Sequence, residues 1–502
     1  MKYESTRGSK NYKTSTKAII QGIAEDKGLY VPAQIPALPL SVEEMKGMTY
    51  QQIAYEVIHS YFDEYNDEEM WACINGAYDS KFEATDVVPL KKAGKAWFLE
   101  LYHGKTAAFK DMALSILPYL MTTACHKEGE KNKICILTAT SGDTGKAALE
   151  GFAGVEGTEI IVFYPKDGVS QVQQRQMVSQ EESNTHVFAI EGNFDDAQTG
   201  VKKIFADDQI KEKLAAMGIK LSSANSINIG RLVPQVAYYV YSYVKMVESG
   251  ALKQGDPMNV VVPTGNFGNI LAAYMAGKMG IPMGKLICAS NENKVLTDFL
   301  RTGVYDARRD FHLTNSPSMD ILISSNLERL IYLLGDRDGD AVSQWMESLD
   351  KEKTYQVSDK VKSELENFYG GFCTEEETLD TIAKLWKEEN YLTDTHTAVA
   401  YKVYEDYLKE TGDQTPTIIA STASAYKFAE SVAEACGLDQ GKVRVLTGCN
   451  NEPDGFDYVK ALEAATGVDV PTGLKNLESR PVIHKGICKK DSMAETVLEV
   501  LK

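Results

Sequence analysis

KICILTATSGDTGKAALEGFAG, residues 133–154, carries the pattern that decides the fold. An apolar, largely β-branched run at about 134–139 predicts a strand. The small polar loop TATSGDTG follows, and a helical pattern begins at about residue 145 with Lys146, Ala147 and Ala148 in its first turn. The same order of strand, small-residue loop and helix recurs along the chain. It appears in TEIIVFYPKDGVSQVQQRQMV from 158, THVFAIEGNFDDAQTGVKKIF from 185, NVVVPTGNFGNILAAYMAGKMG from 259, KLICASNENKVLTDFL from 285 and TPTIIASTASAYKFAESVAEACG from 415. Such alternation predicts an α/β architecture of parallel sheets covered on both faces by helices. Ligands of these sheets gather in the crevice at the carboxyl ends of the strands, where all the quoted loops lie.

The 502 residues suffice for two or three domains with their own cores. Residues 1–90 lack the repeat and read as a helical lead-in with a Pro-rich turn, VPAQIPALPL. A first α/β unit is expected over 91–250 and a second over 251–502. The boundary falls in the helical, charge-mixed AYYVYSYVKMVESGALKQGD, and a mostly helical, polar insertion is expected at about 305–395. Hydrophobic residues make up 43% and charged residues 25%, ordinary for a globular protein. The formal net charge of −18 argues against nucleic acid and anionic membranes as partners and would repel an anionic substrate, so any anion site must be built locally from backbone amides and a few cations. The opening MKYESTRGSKNYKTST is polar, and no apolar run approaches the roughly 18 residues of a membrane span. The expected location is therefore cytoplasmic. None of the eight cysteines forms a C-x-x-C pair or stands at metal-ligand spacing with a histidine, so no metal site is expected.

Two loops have the composition of anion sites. In SGDTGK, Gly142 and Gly145 flank Asp143 and Thr144 just before a helix, whose first N–H groups and dipole suit a carboxylate or phosphate. A nucleotide P-loop is excluded by spacing, because Thr140 stands where its first glycine belongs and Ala147 follows the lysine. Taken alone, the loop is equally an ordinary turn capped by Thr144. PTGNFGN is more specific. Gly265, Asn266, Phe267, Gly268 and Asn269 form a tight loop between a valine strand and an Ala-rich helix. Its glycines permit positive φ and let several amides converge on one phosphate. A third loop, STASAYKF, offers the hydroxyls of Ser421 and Thr422, which are also good helix N-caps.

GKTAAFKDMALSIL, residues 104–117, sets a lysine on an apolar stripe. Read as a helix from about Phe109, it puts Lys110 on one face with Ala113, Leu114 and Leu117. An ammonium there is costly to desolvate. It either snorkels or pairs with Asp111 or another carboxylate, or it is desolvated so that a neutral amine can attack a carbonyl. Pyridoxal 5′-phosphate requires such an amine, a phosphate cradle and a partner for its ring nitrogen. The chain has a candidate for each.

HGKTAAFKD, SGDTG, NSINIGRLVPQ, PTGNFGN and PSMDILISSNLER resemble the motifs of the threonine synthase family, in the family's order, and MKYESTRG is similar to its usual N-terminus. The resemblance runs from about residue 1 to about 430. It implies the fold type II (tryptophan-synthase-β-like) architecture of pyridoxal-phosphate enzymes. It also implies conversion of O-phospho-L-homoserine and water to L-threonine and phosphate, by a monomer or homodimer. By the same resemblance Lys110 is the Schiff-base lysine and Gly265 to Asn269 hold the cofactor phosphate. Thr422 lies at the ring nitrogen, where a hydroxyl leaves the ring less fully protonated than a carboxylate would, and Asp143 lies near the 3′-oxygen. Ser141 and Thr144 are implied for the substrate carboxylate, Arg231 and Asn269 for the substrate phosphate, which suits a guanidinium fork, and Asn225 for the substrate. Lys105 stands where many relatives carry proline, either as a further cation for that phosphate or as an exposed side chain. Ser424 and Ala425 replace a His-Pro of some relatives, and the tail from about 440, with GCNNEPDG, matches no family motif. Two alternatives share much of this pattern: another fold type II lyase such as a serine/threonine dehydratase, and a non-catalytic relative that binds phosphorylated metabolites.

Overall fold

The repeated strand–loop–helix segments assemble into two sheets. The computed structural model describes residues 1–140 and 142–502, apart from the side chains of Phe194 and Asp195. The smaller sheet is parallel throughout, in the spatial order Gly486–Lys489, Thr185–Glu191, Thr158–Pro165, Lys133–Ala139, Ile219–Ser222. The larger runs Phe368–Phe372, Met283–Ser290, Met258–Pro263, Thr417–Ser421, Ala96–Glu100, also parallel, and ends in the antiparallel edge strand Leu90–Ala93. Val260, Val261 and Val262 in its middle are all buried, as expected where helices cover both faces. Among the described residues, no helix is long and apolar enough to cross a membrane.

The sheets interleave in sequence, so a division near residue 250 does not separate them. The strands at 90–100 precede the smaller sheet in the chain yet belong to the larger one, and Gly486–Lys489 closes the edge of the smaller. Parallel neighbours are joined by crossovers and not by hairpins, so chain order does not dictate spatial order. The expected helical insertion at 305–395 likewise contains Phe368–Phe372, which pairs with Met283–Ser290 as an edge strand. The lead-in is mainly helical but also carries an antiparallel pair, Tyr3–Ser5 with Tyr30–Pro32. Its helix Tyr50–Tyr61 packs on the long helix Ile229–Glu248, where the rings of Tyr50 and Tyr241 meet edge-on at 5.4 Å.

The tail beyond 440 folds back across the molecule. The amide of Ile483 donates to the Val178 carbonyl at 2.8 Å. At Gly473 an added Cβ would lie 1.9 Å from the Lys105 carbonyl oxygen, so only glycine allows the tail to press on the loop that leads to Lys110.

Candidate active site

The loop before Lys110 is laced to the carboxyl end of the strand Thr417–Ser421. Leu101 N donates to Ser421 O at 2.9 Å, Phe109 N to Thr422 O at 2.8 Å and Ser424 N to Ala107 O at 3.0 Å. Lys110 is the last residue before the short helix Asp111–Leu114, which breaks before Leu117–Glu128, so the apolar stripe spans two helices. Ala113, Leu114 and Leu117 are buried as expected. The Lys110 side chain is 11% exposed, with Nζ 3.6 Å from Asp143 Oδ2 and 3.4 Å from Ser318 Oγ.

Asp111 is not the partner of the lysine. Its carboxylate accepts from Thr106 N at 2.8 Å and Thr106 Oγ1 at 2.6 Å, and burial raises its carboxyl to about 6 against those bonds. The partner is Asp143, at the start of the helix Asp143–Phe152. Asp143 Oδ1 lies 2.8 Å from Lys427 Nζ and accepts from Gln173 Nε2 at 2.9 Å. Burial works to raise the Asp143 carboxyl, but Lys427 and Lys110 outweigh it and hold it well below the usual carboxylate range. Burial lowers the Lys110 ammonium below its ordinary value. Asp143 opposes this, while Lys427 and Arg231 push it further down. The site thus makes the Lys110 ammonium easier to deprotonate than a free lysine, beside an ionised carboxylate.

SGDTG opens that helix without a side-chain cap. The hydroxyl of Thr140, not of Thr144, accepts from Gly142 N at 3.0 Å and Gly145 N at 2.9 Å. Thr144 is half-buried in the first turn, and Ser141 lies outside the described residues. Gly142, at φ +134°, passes so close to Gln173 that an added Cβ would sit 2.5 Å from its amide carbon.

In GNFGN, Phe267 adopts φ +63° and the helix Gly268–Met279 begins. Gly265 lies against the Ser318 carbonyl, and Asn266 O accepts from Asn326 N at 3.0 Å. Asn269 Oδ1 accepts from Tyr239 OH, and its Nδ2 is buried with no partner among the described residues. Asn326 repeats the arrangement: Arg329 holds its Oδ1, while Nδ2 is buried, unpartnered, and 3.5 Å from where a Gly268 Cβ would be.

Arg231 is the third residue of Ile229–Glu248, a helix capped by Asn228. One guanidinium nitrogen donates to Ala224 O at 2.9 Å, Nε is buried and unpartnered, and burial lowers the group to about 10. Buried donors are nearly always paired. Two of these orphans lie at the glycine loop and the third, on Arg231, lies near enough to Lys110 to depress it, and anionic phosphate oxygens would satisfy such donors, so these residues fit a phosphorylated ligand.

The remaining expected residues stand as follows. Asn225 is half-buried beyond the strand Ile219–Ser222, with Oδ1 accepting from Thr138 Oγ1 at 3.2 Å. The buried Thr422 donates its N–H to Thr397 Oγ1 at 3.3 Å, and the cap of the next turn is Ser424, not Ser421 or Thr422. Lys105 is exposed and paired with Glu150 Oε1 at 2.9 Å, a carboxylate it shares with Lys146. Sequence reasoning missed Lys427, Asn326, Ser318 and His396. Lys427 carried the same signal as Lys110, a lysine in an apolar run with Tyr426 and Ala429. Ser318 and Asn326 lay inside a quoted motif but had no assigned role.

Profiles of known families match almost the whole chain. They are described as "Threonine synthase N terminus" over residues 2–78, "Pyridoxal-phosphate dependent enzyme" over 82–423 and "Threonine synthase, C-terminal" over 397–491. The chain is 39% identical over 439 residues to "Threonine synthase-like 1" of Homo sapiens, covering 85% of this chain but 58% of that protein, so it spans little over half the length of such relatives. It is 36% identical over 447 residues to the threonine synthase of Pseudomonas aeruginosa, covering 88% of this chain and 91% of that one. Among solved structures it resembles the PLP-bound threonine synthase from Brucella melitensis, with 34% identity, a TM-score of 0.86 and all of both chains covered.

Proposed function

The chain belongs to the threonine synthase family of pyridoxal-phosphate-dependent enzymes, and from that premise we propose that it is a carbon–oxygen lyase that converts O-phospho-L-homoserine and water to L-threonine and phosphate. The observation that carries this reading is the pairing of a desolvated Lys110 amine with unpartnered donors on Arg231, Asn269 and Asn326. A dehydratase of unphosphorylated serine or threonine would use the donors at the glycine loop for its cofactor phosphate but has no use for a second anion site at Arg231. The intact, electrostatically tuned Lys110 argues against a purely binding protein.

Pyridoxal 5′-phosphate, when bound, supplies an electron sink next to the substrate nitrogen. Lys110 would hold it, with Gly265, Asn266, Phe267, Gly268 and Asn269 around its phosphate, Thr422 at the ring nitrogen and Asp143 near its 3′-oxygen. Ser141 and Thr144 would take the substrate carboxylate at the start of the helix Asp143–Phe152, where N–H groups and the dipole favour anions. Arg231 and Asn269 would grip the substrate phosphate, and Asn225 would contact the substrate. Lys110 Nζ, its proton made easier to lose by burial, would move protons at Cα, Cβ and Cγ. Lys427 neutralises Asp143, so the carboxylate orients Lys110 without trapping its proton. Arg231 and Asn269 retain the departing phosphate until water adds at Cβ, which favours threonine over early release of a keto acid. The net charge of −18 supports no nucleic-acid partner, and the anionic small-molecule substrate depends on the local cations and amides of the site. On this reading the protein is a cytoplasmic monomer or homodimer.

The direct test is incubation with O-phosphohomoserine and, separately, homoserine, assaying threonine and phosphate together. Equimolar threonine and phosphate from the first and neither from the second is expected. Keto acid as the sole organic product would favour a dehydratase.

A further inference from the structure

Lys110 Nζ touches a second group whose support is entirely separate from Asp143. Ser318, in the short turn Pro317–Met319, places Oγ 3.4 Å from Nζ. The peptide of Ser318 is held by His396, whose Nε2 accepts the Ser318 N–H at 3.1 Å. An acceptor nitrogen carries no proton, so the imidazole proton sits on Nδ1, 2.8 Å from Asp394 Oδ2. Asp394 is fixed in turn as the N-cap of Thr395–Thr411, accepting from the amides of His396 and Thr397. Asp394 and His396 are both buried, and the imidazole packs against Phe428 with ring centroids 4.8 Å apart, next to Lys427.

The other side of the turn is equally tied. Asp320 accepts from Asn291 Nδ2 and Thr314 Oγ1 at 2.7 Å each, and from Asn293 Nδ2 and Thr314 N at 3.0 Å each. The Ser318 carbonyl packs on Gly265, where an added Cβ would come within 2.6 Å. One rigid turn therefore touches both the lysine and the glycine loop.

We propose that Ser318 is a positioning residue for the Lys110 amine, and that Asp394 and His396 form the support that fixes it. Ser318 Oγ accepts an N–H of Lys110 at 3.4 Å while Asp143 Oδ2 stands 3.6 Å away as its ion-pair partner, so Nζ is held from two sides. This rests on the proposed role of Lys110 and adds residues that role does not require.

The test uses the full chain, stripped of cofactor and resupplied with pyridoxal 5′-phosphate. It reads the rate at which a borohydride-fixable adduct forms on Lys110, with kcat and KM for O-phosphohomoserine alongside. Ser318→Ala is expected to slow adduct formation and kcat by about tenfold to hundredfold, the scale of misplacing a reacting group, with KM within about twofold. His396→Leu, which leaves the Ser318 N–H unpartnered, is expected to give the same pattern. The double variant should lose no more than the worse single one, because both act through one line of contacts. His396→Gln, whose carbonyl can accept that N–H, is expected to recover most of the rate. If His396→Leu does not fold, Asp394→Asn reads the same support. An unchanged adduct rate in Ser318→Ala, additive losses, or losses confined to KM would overturn the proposal. Should the unaltered protein release no phosphate from O-phosphohomoserine, the proposed activity fails, yet the adduct rates still judge the role of Ser318.

Discussion

Arg231 is held at a cost that only an anionic ligand repays. Its guanidinium is 3% exposed, has no carboxylate partner among the described residues, and leaves Nε unpartnered. Burial lowers the group from the ordinary arginine range to about 10. At 1.36 kcal/mol per unit, that is about 3 kcal/mol spent on keeping it charged in place. Arg231→Met keeps the aliphatic stem and removes the charge, so two effects of opposite sign are expected. The ligand-free protein should be as stable in urea as the unaltered one, or more stable by up to about 3 kcal/mol, because a desolvated charge has gone. Meanwhile kcat/KM for O-phosphohomoserine should fall by about 2–5 kcal/mol, a factor of roughly 30 to 5,000, the range for truncating one partner of a desolvated charge pair. Steady-state kinetics with O-phosphohomoserine and a slow unphosphorylated amino acid, run beside urea unfolding, separates the two effects. Cofactor bound at Lys110 should be unaffected. Equal losses on both substrates, loss of cofactor, or destabilisation beyond about 2 kcal/mol would refute the reasoning and make Arg231 a structural residue.

Borohydride reduction followed by peptide mapping should place the cofactor on Lys110, and an adduct on Lys105, Lys146 or Lys427 would displace that assignment. Lys427→Met removes a like charge that depresses Lys110, so the ammonium is favoured and the acid limb of the pH–kcat profile should move to higher pH. The same change leaves the buried Asp143 with one cation fewer and should destabilise the protein by about 3–5 kcal/mol, read by urea unfolding. Lys105→Ala should leave kcat/KM for O-phosphohomoserine within about twofold, because this exposed lysine pairs with Glu150; a larger loss would return it to the substrate phosphate. Gly473→Ala should lift the tail from the Lys105 carbonyl and raise amide exchange across residues 104–109, read by mass spectrometry. Unchanged exchange there would show that the tail does not brace the loop.

Much of this molecule follows from local pattern. The strand Lys133–Ala139 and the helix Asp143–Phe152 fall where alternation and glycines put them. GNFGN turns tightly at a strand end as its composition suggests, but the positive φ falls on Phe267 and on neither glycine, and Gly265 serves instead the close approach of the Ser318 carbonyl. The inward direction of Lys110 was legible from its apolar neighbours, since periodicity reports which face a side chain occupies. Which partner waits on that face is another matter. Asp111, adjacent in the chain, turns to Thr106, and the lysine meets Asp143 instead. Lys427 reaches the Thr106 carbonyl across 321 residues, and His396 reaches Ser318 across 78. The last strand, Gly486–Lys489, completes the sheet begun at residue 133, while the strands at 90–100 join the other. Local sequence sets propensity and face. Pairing between strands joined by long crossovers is decided only when the whole core packs, and that packing brings the carboxylate, the second lysine and the histidine-held serine to one amine.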